Sequence, residues 1–346
     1  MQRCTNAWAR VLASRGVSKW WGRSVRCRLS LSAQISPVYA FSLKLNALQQ
    51  AGGDLTMDPA ARLRALLKSA EILIAPGAYD GLTARLIELQ GFPVVYATGA
   101  GISNSQYALA DMGLASMGEV LDQVRKITGA VSIPVIADID TGYGNALNVV
   151  RTVREFWRAG VAAVQIEDQV SPKRCGHFAG KEVISKEEAA LRIKAAVEAR
   201  GDSDLFIIAR TDSIAVNGLA DAIERAKTYV EAGADAIFVE APRSREELAE
   251  IARQVPGLKV ANMVEGGKTP LVSASELQAM GYSLVIYANC VLRSAILAGT
   301  ETLRYLKEHG DTEGILDRMV TMDERNQVTN KPWLEELERR FVRVAW

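Results

Sequence analysis

The sequence predicts an α/β protein, a closed (β/α)8 TIM-type barrel with extra C-terminal helices. Between residues 72 and 310, eight short apolar runs alternate with amphipathic helical segments. The runs lack strict polar–apolar alternation, which is typical of parallel strands covered by helices. Polar residues end the runs, and in a barrel these ends meet at one mouth, where active sites are built. An open doubly wound sheet, the alternative, would scatter them along a crevice.

The eight predicted strands share polar C-terminal ends. They span residues 72–78, 94–100, 134–140, 163–169, 206–212, 236–242, 260–266 and 284–290. The polar ends are Thr98, Asp138, Asp140, Glu167, Asp168, Arg210, Asp212, Glu240, Asn262 and Asn289. Asp212 and Asn289 also suit the N-cap of a following helix, whereas Glu and Arg are poor N-caps. The set as a whole therefore indicates a polar mouth.

Helix signals occupy the gaps between the strands. Pro59 lies in the first turn of a predicted helix that precedes the first strand. Ser185 and Glu188 have the spacing of a capping box. Gly233 is placed to end the helix that precedes it.

The N-terminal region differs in composition from the rest of the chain. Residues 1–53 contain eight Lys or Arg, no Asp or Glu, and three of the six tryptophans. This composition is typical of a mitochondrial transit peptide. The alternative, which we favour, is that translation starts at Met57, because codons for residues 52–54 can spell a ribosome-binding sequence. We assign 1–56 to an extension that we expect to be disordered, 57–310 to the catalytic barrel and 311–346 to a C-terminal helical segment.

The bulk composition excludes several classes of function. Because basic residues concentrate at the N-terminus, the remaining chain is net acidic, which argues against nucleic-acid binding. No apolar run is long enough for a membrane span. Four scattered cysteines are not a disulfide framework and indicate a reducing compartment. The expected location is the bacterial cytoplasm, or the mitochondrial matrix if residues 1–56 are a transit peptide.

Carboxylates at two neighbouring strand ends indicate a cation site. Asp138 and Asp140 follow one strand and Glu167 ends the next. Such carboxylates repel one another strongly unless a cation neutralises them. Oxygen ligands in a chain with few histidines favour Mg²⁺, with Mn²⁺ as the second choice. The competing interpretation is that the carboxylates form salt bridges with Arg210 and Lys173.

The glycines of TGAGIS, residues 98–103, do not form a dinucleotide-binding motif. The third glycine of that motif and its acidic partner are missing. The glycines instead let backbone N–H groups approach a substrate carboxylate. The phosphate-binding P-loop and the nucleophile elbow are also absent, so nucleotide hydrolases and α/β-hydrolases lose support.

Residues 170–184 form a loop that carries Cys175 and His177, one of only two histidines. Two ligands are too few for a zinc site. Lys173 and Arg174 should lower the pKa of the thiol, which can then act as a nucleophile or as a general acid or base. A loop rich in Gly and Lys beside the mouth suits a mobile lid. The alternative is a solvated basic loop with an incidental cysteine.

Three segments together resemble the isocitrate lyase / phosphoenolpyruvate mutase superfamily: DTGYGN (140–145), PKRCGH (172–177) and IIARTD (207–212). The cysteine motif resembles that of the carbon–carbon lyases, and the short chain resembles 2-methylisocitrate lyases and 2,3-dimethylmalate lyases. Val264 and Gly266 depart from the methylisocitrate lyase pattern, which favours a member similar to dimethylmalate lyases.

The resemblance implies a role for each matching residue. Asp138, Asp140 and Glu167 match a Mg²⁺ site built mostly through waters. Cys175 matches the catalytic acid of a mobile loop, and His177 is interpreted as ordering that loop or tuning the cysteine. Arg210 and Tyr96 are further expected to take part in catalysis. The residues expected to hold the substrate are Thr98, Gly99, Ala100, Asp111, Gly176, Glu240, Asn262 and Arg293.

The implied reaction is Mg²⁺-dependent retro-aldol cleavage of a 2-hydroxy di- or tricarboxylate to pyruvate plus a carboxylic acid. The general base stays open between Tyr96 and a carboxylate beside the metal. The alternatives are oxaloacetate hydrolysis or decarboxylation, and a catalytically silent barrel. The resemblance also implies a homotetramer that swaps its C-terminal helices, with neither a nucleic-acid nor a membrane partner.

Overall fold

The computed structural model describes residues 57–69, 71–176, 178 and 180–342. The predicted extension 1–56 and His177 lie outside them. Eight parallel strands form a closed barrel in chain order, with the first strand paired to the eighth. This confirms the predicted fold and excludes the open sheet. The strands are β1 (Leu73–Ala78), β2 (Val95–Ala97), β3 (Val135–Asp138), β4 (Ala163–Glu167), β5 (Phe206–Thr211), β6 (Ala236–Val239), β7 (Leu258–Asn262) and β8 (Leu284–Tyr287).

Within the part of the chain that the structure describes, one helix precedes the barrel, one or two helices follow each of β1 to β7, and several follow β8. Asp58 caps the first helix, which has Pro59 in its first turn as predicted. The side chain of Ser185 caps α6, and Gly233 follows α8 with φ +99. The helices are α1 (Pro59–Leu67), α2 (Gly81–Leu89), α3 (Gly99–Tyr107), α4 (Met117–Ala130), α5 (Ala146–Arg158), α6 (Lys186–Arg200), α7 (Ile214–Asn217), α8 (Leu219–Glu231), α9 (Arg245–Gln254), α10 (Ala274–Met280) and α11 (Cys290–His309).

Both faces of the strands bury apolar side chains. Ile136 and Phe238 belong to the cluster inside the barrel, to which α1 adds Leu63. Phe156 and Tyr229 belong to a second cluster between the strands and the outer helices. Because each strand is covered on both sides, its sequence reads as a continuous apolar run rather than an alternating one.

In its described residues, the C-terminal segment consists of short helices joined by non-helical links. Gly310 ends α11 in the left-handed region, close to the predicted barrel boundary. A 3₁₀-helix (Glu313–Arg318), α12 (Met322–Val328) and α13 (Lys331–Phe341) follow. No described helix is long and apolar enough to cross a membrane.

Candidate active site

Five polar side chains enter the barrel mouth from successive strands. Successive strand residues point to opposite faces, so a residue two positions beyond an inward apolar side chain also points inward. Each of the five is buried or nearly so. They are Asp138 on β3, Glu167 on β4, Arg210 on β5, Glu240 after β6 and Asn262 on β7.

Arg210 links three of these strand ends. Its Nε lies 3.2 Å from Glu167 Oε2, and its Nη2 lies 3.2 Å from Glu240 Oε2. Asn262 Nδ2 donates to the same Glu240 oxygen at 3.3 Å. Burial opposes the guanidinium charge, but Asp212, Glu167 and Glu240 outweigh it and raise the pKa of Arg210. Arg210 is therefore a permanent cation at the centre of the mouth.

Lys173 forms a second charged cluster with two aspartates. Its Nζ lies 2.5 Å from Asp111 Oδ1 and 3.0 Å from Asp140 Oδ1. Burial raises the pKa of Asp140 to about 6, with Lys173 opposing the rise and Asp138 and Asp111 adding to it. The sequence suggested that Lys173 acts on the Cys175 thiol, whereas its ammonium group is neutralised by carboxylates.

The donor chemistry of the mouth fits magnesium held largely through waters. Among the described residues, no group of three or more His, Cys, Asp or Glu could hold a metal directly. Two oxygens do face one point, because a Cβ built on Gly99 would lie 3.1 Å from Asp138 Oδ2 and 3.4 Å from Asp140 Oδ1. Mg²⁺ is usually held by one or two carboxylates and keeps several waters.

The salt bridges of the competing interpretation also form. Lys173 pairs with Asp140, and Arg210 pairs with Glu167. Burial nevertheless raises the pKa of Glu167 well above its ordinary value, despite the opposing charge of Arg210. An acidic site of this kind is stabilised by a further cation. Mg²⁺ or Mn²⁺ at Asp138, Asp140 and Glu167 stays a prediction.

Two tyrosines lie within electrostatic reach of these carboxylates. Burial, followed by the charge of Asp138, raises the pKa of Tyr96 well above its ordinary value. Tyr96 is therefore a neutral phenol, which disfavours it as the general base. Tyr143 was not singled out from the sequence, although it lies in the DTGYGN segment. Its hydroxyl is buried without a hydrogen-bond partner, and burial and Asp140 raise its pKa.

The N-terminus of α3 borders the same space. Thr98 is its N-cap, and its Oγ1 accepts the N–H of Gly101 at 3.2 Å. Gly99 and Ala100 are the first two helical residues, so their N–H groups have no acceptor within the helix. A helix N-terminus favours anions. The predicted contact of Thr98, Gly99 and Ala100 with a substrate carboxylate stays a prediction.

The cysteine loop packs directly on the mouth. The Cys175 N–H donates to the Asp111 carbonyl at 3.0 Å. A Cβ built on Gly176 would lie 2.7 Å from both Arg210 Nη2 and Glu240 Cγ. Only glycine therefore lets the backbone approach this pair so closely. Cys175 immediately precedes Gly176 in the chain, and its role as a proton donor stays a prediction.

Gln169 binds the start of this loop through two hydrogen bonds to the backbone of Arg174. The sequence analysis did not single it out. Its Oε1 accepts the Arg174 N–H at 3.0 Å, and its Nε2 donates to the Arg174 carbonyl at 2.8 Å. The same Nε2 donates to Glu167 Oε1 at 3.0 Å. One amide thus ties the loop to a mouth carboxylate. The only available signal was its place after IED at the end of β4.

Asp168 does not join the mouth, so its prediction as a mouth carboxylate was wrong. It follows the inward Glu167 and therefore points outward. There it accepts hydrogen bonds from the Thr211 and Tyr229 hydroxyls, each at 2.7 Å, and from the Asp212 N–H at 2.9 Å.

Asp212 is not a helix N-cap, contrary to the sequence interpretation. Its carboxylate accepts from Arg210 Nε at 2.8 Å and from Lys181 Nζ at 2.7 Å. Asn289 does occupy the N-cap of α11, but its side chain makes no capping hydrogen bond. Arg293 is exposed, and its Nη1 donates to the Glu265 carbonyl at 2.6 Å. The structure does not bring Arg293 to the cluster, and its substrate contact stays a prediction.

The chain is similar to several known enzymes. The family model for phosphoenolpyruvate phosphomutase matches residues 63–307. The chain is 46% identical over 286 residues to 2,3-dimethylmalate lyase of Eubacterium barkeri, covering 83% of this chain and 99% of the relative. It is 46% identical over 266 residues to a 2-methylisocitrate lyase of Aeropyrum pernix, covering 77% and 85%.

A solved structure shares the fold closely. Oxaloacetate acetylhydrolase in complex with 3,3-difluorooxalacetate matches with a TM-score of 0.80 at 36% identity, covering 84% of this chain and 99% of that one. With a family match across the barrel and relatives similar over most of their length, the chain belongs to the phosphoenolpyruvate mutase / isocitrate lyase superfamily of enzymes.

Proposed function

We propose that the chain is a Mg²⁺-dependent carbon–carbon lyase. Its substrate is a 2-hydroxy di- or tricarboxylate of the 2,3-dimethylmalate or 2-methylisocitrate type, and its products are pyruvate and a carboxylic acid. One observation carries the proposal: the Cys175–Gly176 segment lies directly on Arg210 and Glu240. Cys175, the residue before Gly176 in the chain, is thus held next to a fixed cation, and we assign it the role of proton donor. The lyases among the similar proteins add support.

Each residue of the mouth has a proposed role in the reaction. Loss of the 2-hydroxyl proton lets the carbon–carbon bond break, and its electron pair leaves with the second fragment as a carbanion. Cys175 gives that carbon its proton. Arg210 stabilises the negative charge that develops on substrate oxygens. Asn262 and Glu240 orient the substrate through their hydrogen bonds. A bound Mg²⁺ supplies Lewis-acid stabilisation of the 2-oxygen.

A mouth carboxylate is the better general base. Tyr96 holds its proton because burial and Asp138 raise its pKa. Asp140, with a pKa of about 6, exchanges a proton near neutral pH. A base is most effective when its pKa lies near the working pH. We therefore assign hydroxyl deprotonation to Asp140 and a donor role to Tyr96.

A substrate panel tests the proposal. The full chain with Mg²⁺ is incubated with 2,3-dimethylmalate, 2-methylisocitrate, isocitrate and oxaloacetate, and products are identified by mass spectrometry with a coupled pyruvate assay. We expect pyruvate from one of the first two, with 2,3-dimethylmalate favoured by Val264 and Gly266. Release of CO₂ from oxaloacetate alone would instead assign a decarboxylase.

Oxaloacetate hydrolysis is the second candidate. The similarity to oxaloacetate acetylhydrolase, at 36% identity over nearly all of that chain, favours it. Oxalate plus acetate from oxaloacetate would identify this activity. A catalytically silent barrel is disfavoured, because the mouth buries charges at a cost that a structural role does not require. An unchanged melting temperature with Mg²⁺ plus oxalate would support the silent barrel.

We further propose a homotetramer that packs or swaps the C-terminal helices. The side chains of Leu303, Val320 and Phe341 are 67%, 70% and 71% exposed in the single chain. Apolar surface of this extent is typical of a protein–protein interface. Light scattering on the purified chain tests it, and a monomeric mass would contradict it.

A further inference from the structure

Lys181 is a buried cation that no step of the proposed reaction uses. Its side chain is 1% exposed, and that of Asp212 is 0% exposed. Nζ donates to Asp212 Oδ1 at 2.7 Å and to the Gly176 carbonyl at 2.6 Å. A lysine buried this deeply keeps its charge only when it is paired. One side chain therefore joins the tip of the cysteine loop to the end of β5.

Asp212 receives a second cation from the mouth. Arg210 Nε donates to its Oδ2 at 2.8 Å, and Arg210 Nη2 donates to its Oδ1 at 3.1 Å. Oδ1 is thus shared between Lys181 of the loop and Arg210 of the mouth. Any movement of the loop that withdraws Lys181 leaves Arg210 to satisfy this carboxylate alone.

Backbone contacts also fix the two ends of the loop. Near its two ends, Gln169 bridges Val183 in an isolated β-bridge, and the Ile184 N–H donates to the Asp168 carbonyl at 2.9 Å. Between these anchors, Lys181 bonds the carbonyl of Gly176, the residue after the proposed proton donor. It is therefore placed to hold the loop tip against the mouth.

We propose that the Lys181–Asp212 ion pair is a latch that holds Cys175 over the barrel mouth and couples loop position to the orientation of Arg210. Both are positioning residues, which act through Cys175 and Arg210. The role of Cys175 as a proton donor rests on the proposed function, whereas the Lys181–Asp212 ion pair that holds the loop does not. Opening the loop must part a buried ion pair, so removing the ammonium shifts the loop toward open states.

Thiol labelling measures the latch without using the reaction. The full chain and its Lys181→Met variant, whose unbranched side chain fills similar space, are pulse-labelled with iodoacetamide. Mass spectrometry then follows Cys175 and Cys290 in the same molecules. Cys290 lies half-buried at the start of α11 and serves as the internal reference. We expect labelling of Cys175 to rise at least about tenfold, with Cys290 unchanged within about twofold.

Lys268→Met is the matched control. Lys268 also reaches this loop, with Nζ 3.5 Å from the Phe178 carbonyl, but from an exposed position. Exposed contacts contribute little, so we expect labelling within about twofold of wild type. Equal labelling of Cys175 in the Lys181→Met and Lys268→Met variants would overturn the latch. A rise at both cysteines of Lys181→Met would also overturn it, because it would assign Lys181 to overall stability.

The coupling to Arg210 has its own readout. With the substrate found by the panel, Lys181→Met should lower kcat more than about tenfold while KM changes less than about threefold. Asp212→Asn should lower kcat and also raise KM, because it loosens Arg210. Identical KM values in the two variants would overturn the coupling. If no panel substrate turns over, the proposed lyase fails, whereas the labelling result still decides the latch.

Discussion

The barrel mouth and the C-terminal helices differ in which side chains they bury: the mouth buries charged groups, and the C-terminal helices expose apolar ones. At the mouth, Arg210 and Lys173 are buried and paired with carboxylates supplied by the same chain. In α11 and the C-terminal segment, Leu303, Val320 and Phe341 are large, apolar and mostly exposed. The charged groups of the mouth are thus paired within one chain, whereas the apolar side chains of the second region are exposed in that chain. We therefore place the proposed reaction at the first region and the proposed subunit contacts at the second.

The largest effect is expected from breaking the mouth at Arg210. Arg210→Gln removes the cation that faces developing charge, so kcat/KM should fall by roughly 10²- to 10³-fold, as for other oxyanion donors. Arg245→Gln is the control, because Arg245 makes an exposed ion pair with Glu276 outside the mouth. Steady-state kinetics on the cleaved substrate compare them. Equal activity of the two variants would remove Arg210 from the mechanism.

Asp140 offers a stability test of the same region. Its folded pKa of about 6 exceeds its ordinary value of 3.8, so the folded chain binds the proton more tightly. This contribution is fully present below the ordinary pKa and is lost as the pH rises through about 6. Between pH 5 and 7.5, wild type should lose about 1.4 kcal/mol that Asp140→Asn does not lose.

Denaturant unfolding in chelator measures this difference. Asp122→Asn is the control, since Asp122 pairs with Lys126 on an exposed helix face. It should follow the wild-type pH profile. A pH-independent gap between wild type and Asp140→Asn would contradict the raised pKa.

The sequence predicted which residues line the mouth better than it predicted the hydrogen bonds and ion pairs that position them. All eight strands were predicted, because apolar β-branched runs and their polar ends are local patterns. The inward positions of Asp138, Glu167 and Arg210 follow from a period of two. Asp168 was misplaced because its neighbour Glu167 already occupies the inward face. Strand-end chemistry alone did not decide which of two adjacent carboxylates points inward.

The latch could not be found from the sequence for a different reason. Lys181 and Asp212 are 31 residues apart and meet only after the loop folds over β5. Asp212 precedes a helix, so local spacing favoured an N-cap. Gln169 was missed although its partner Arg174 is close in sequence, because the groups it binds are backbone N–H and C=O groups, which leave no side-chain signal. Long-range pairing of this kind depends on the closed barrel rather than on any local pattern.

The smallest effect on catalysis is expected from the C-terminal segment. Leu303→Glu places a charge on the exposed apolar face of α11 and should dissociate the proposed tetramer. Activity per chain should fall less than about tenfold if the mouth is complete within one chain. Glu301→Lys, two residues before Leu303 and therefore on a different face of the same helix, is the control. Light scattering measures the oligomeric state, and steady-state kinetics measures the activity per chain. An intact tetramer in the Leu303→Glu variant would contradict the assignment of this face.

Cys175→Ala tests the central claim most directly. Cleavage of the preferred substrate and calorimetric binding of oxalate are measured for the variant and wild type at saturating Mg²⁺. Removing a proton donor should cut cleavage by roughly 10²- to 10⁴-fold. Oxalate affinity should stay within about threefold, because Arg210 and the carboxylates are untouched. Pyruvate production at the wild-type rate would contradict Cys175 as the proton donor.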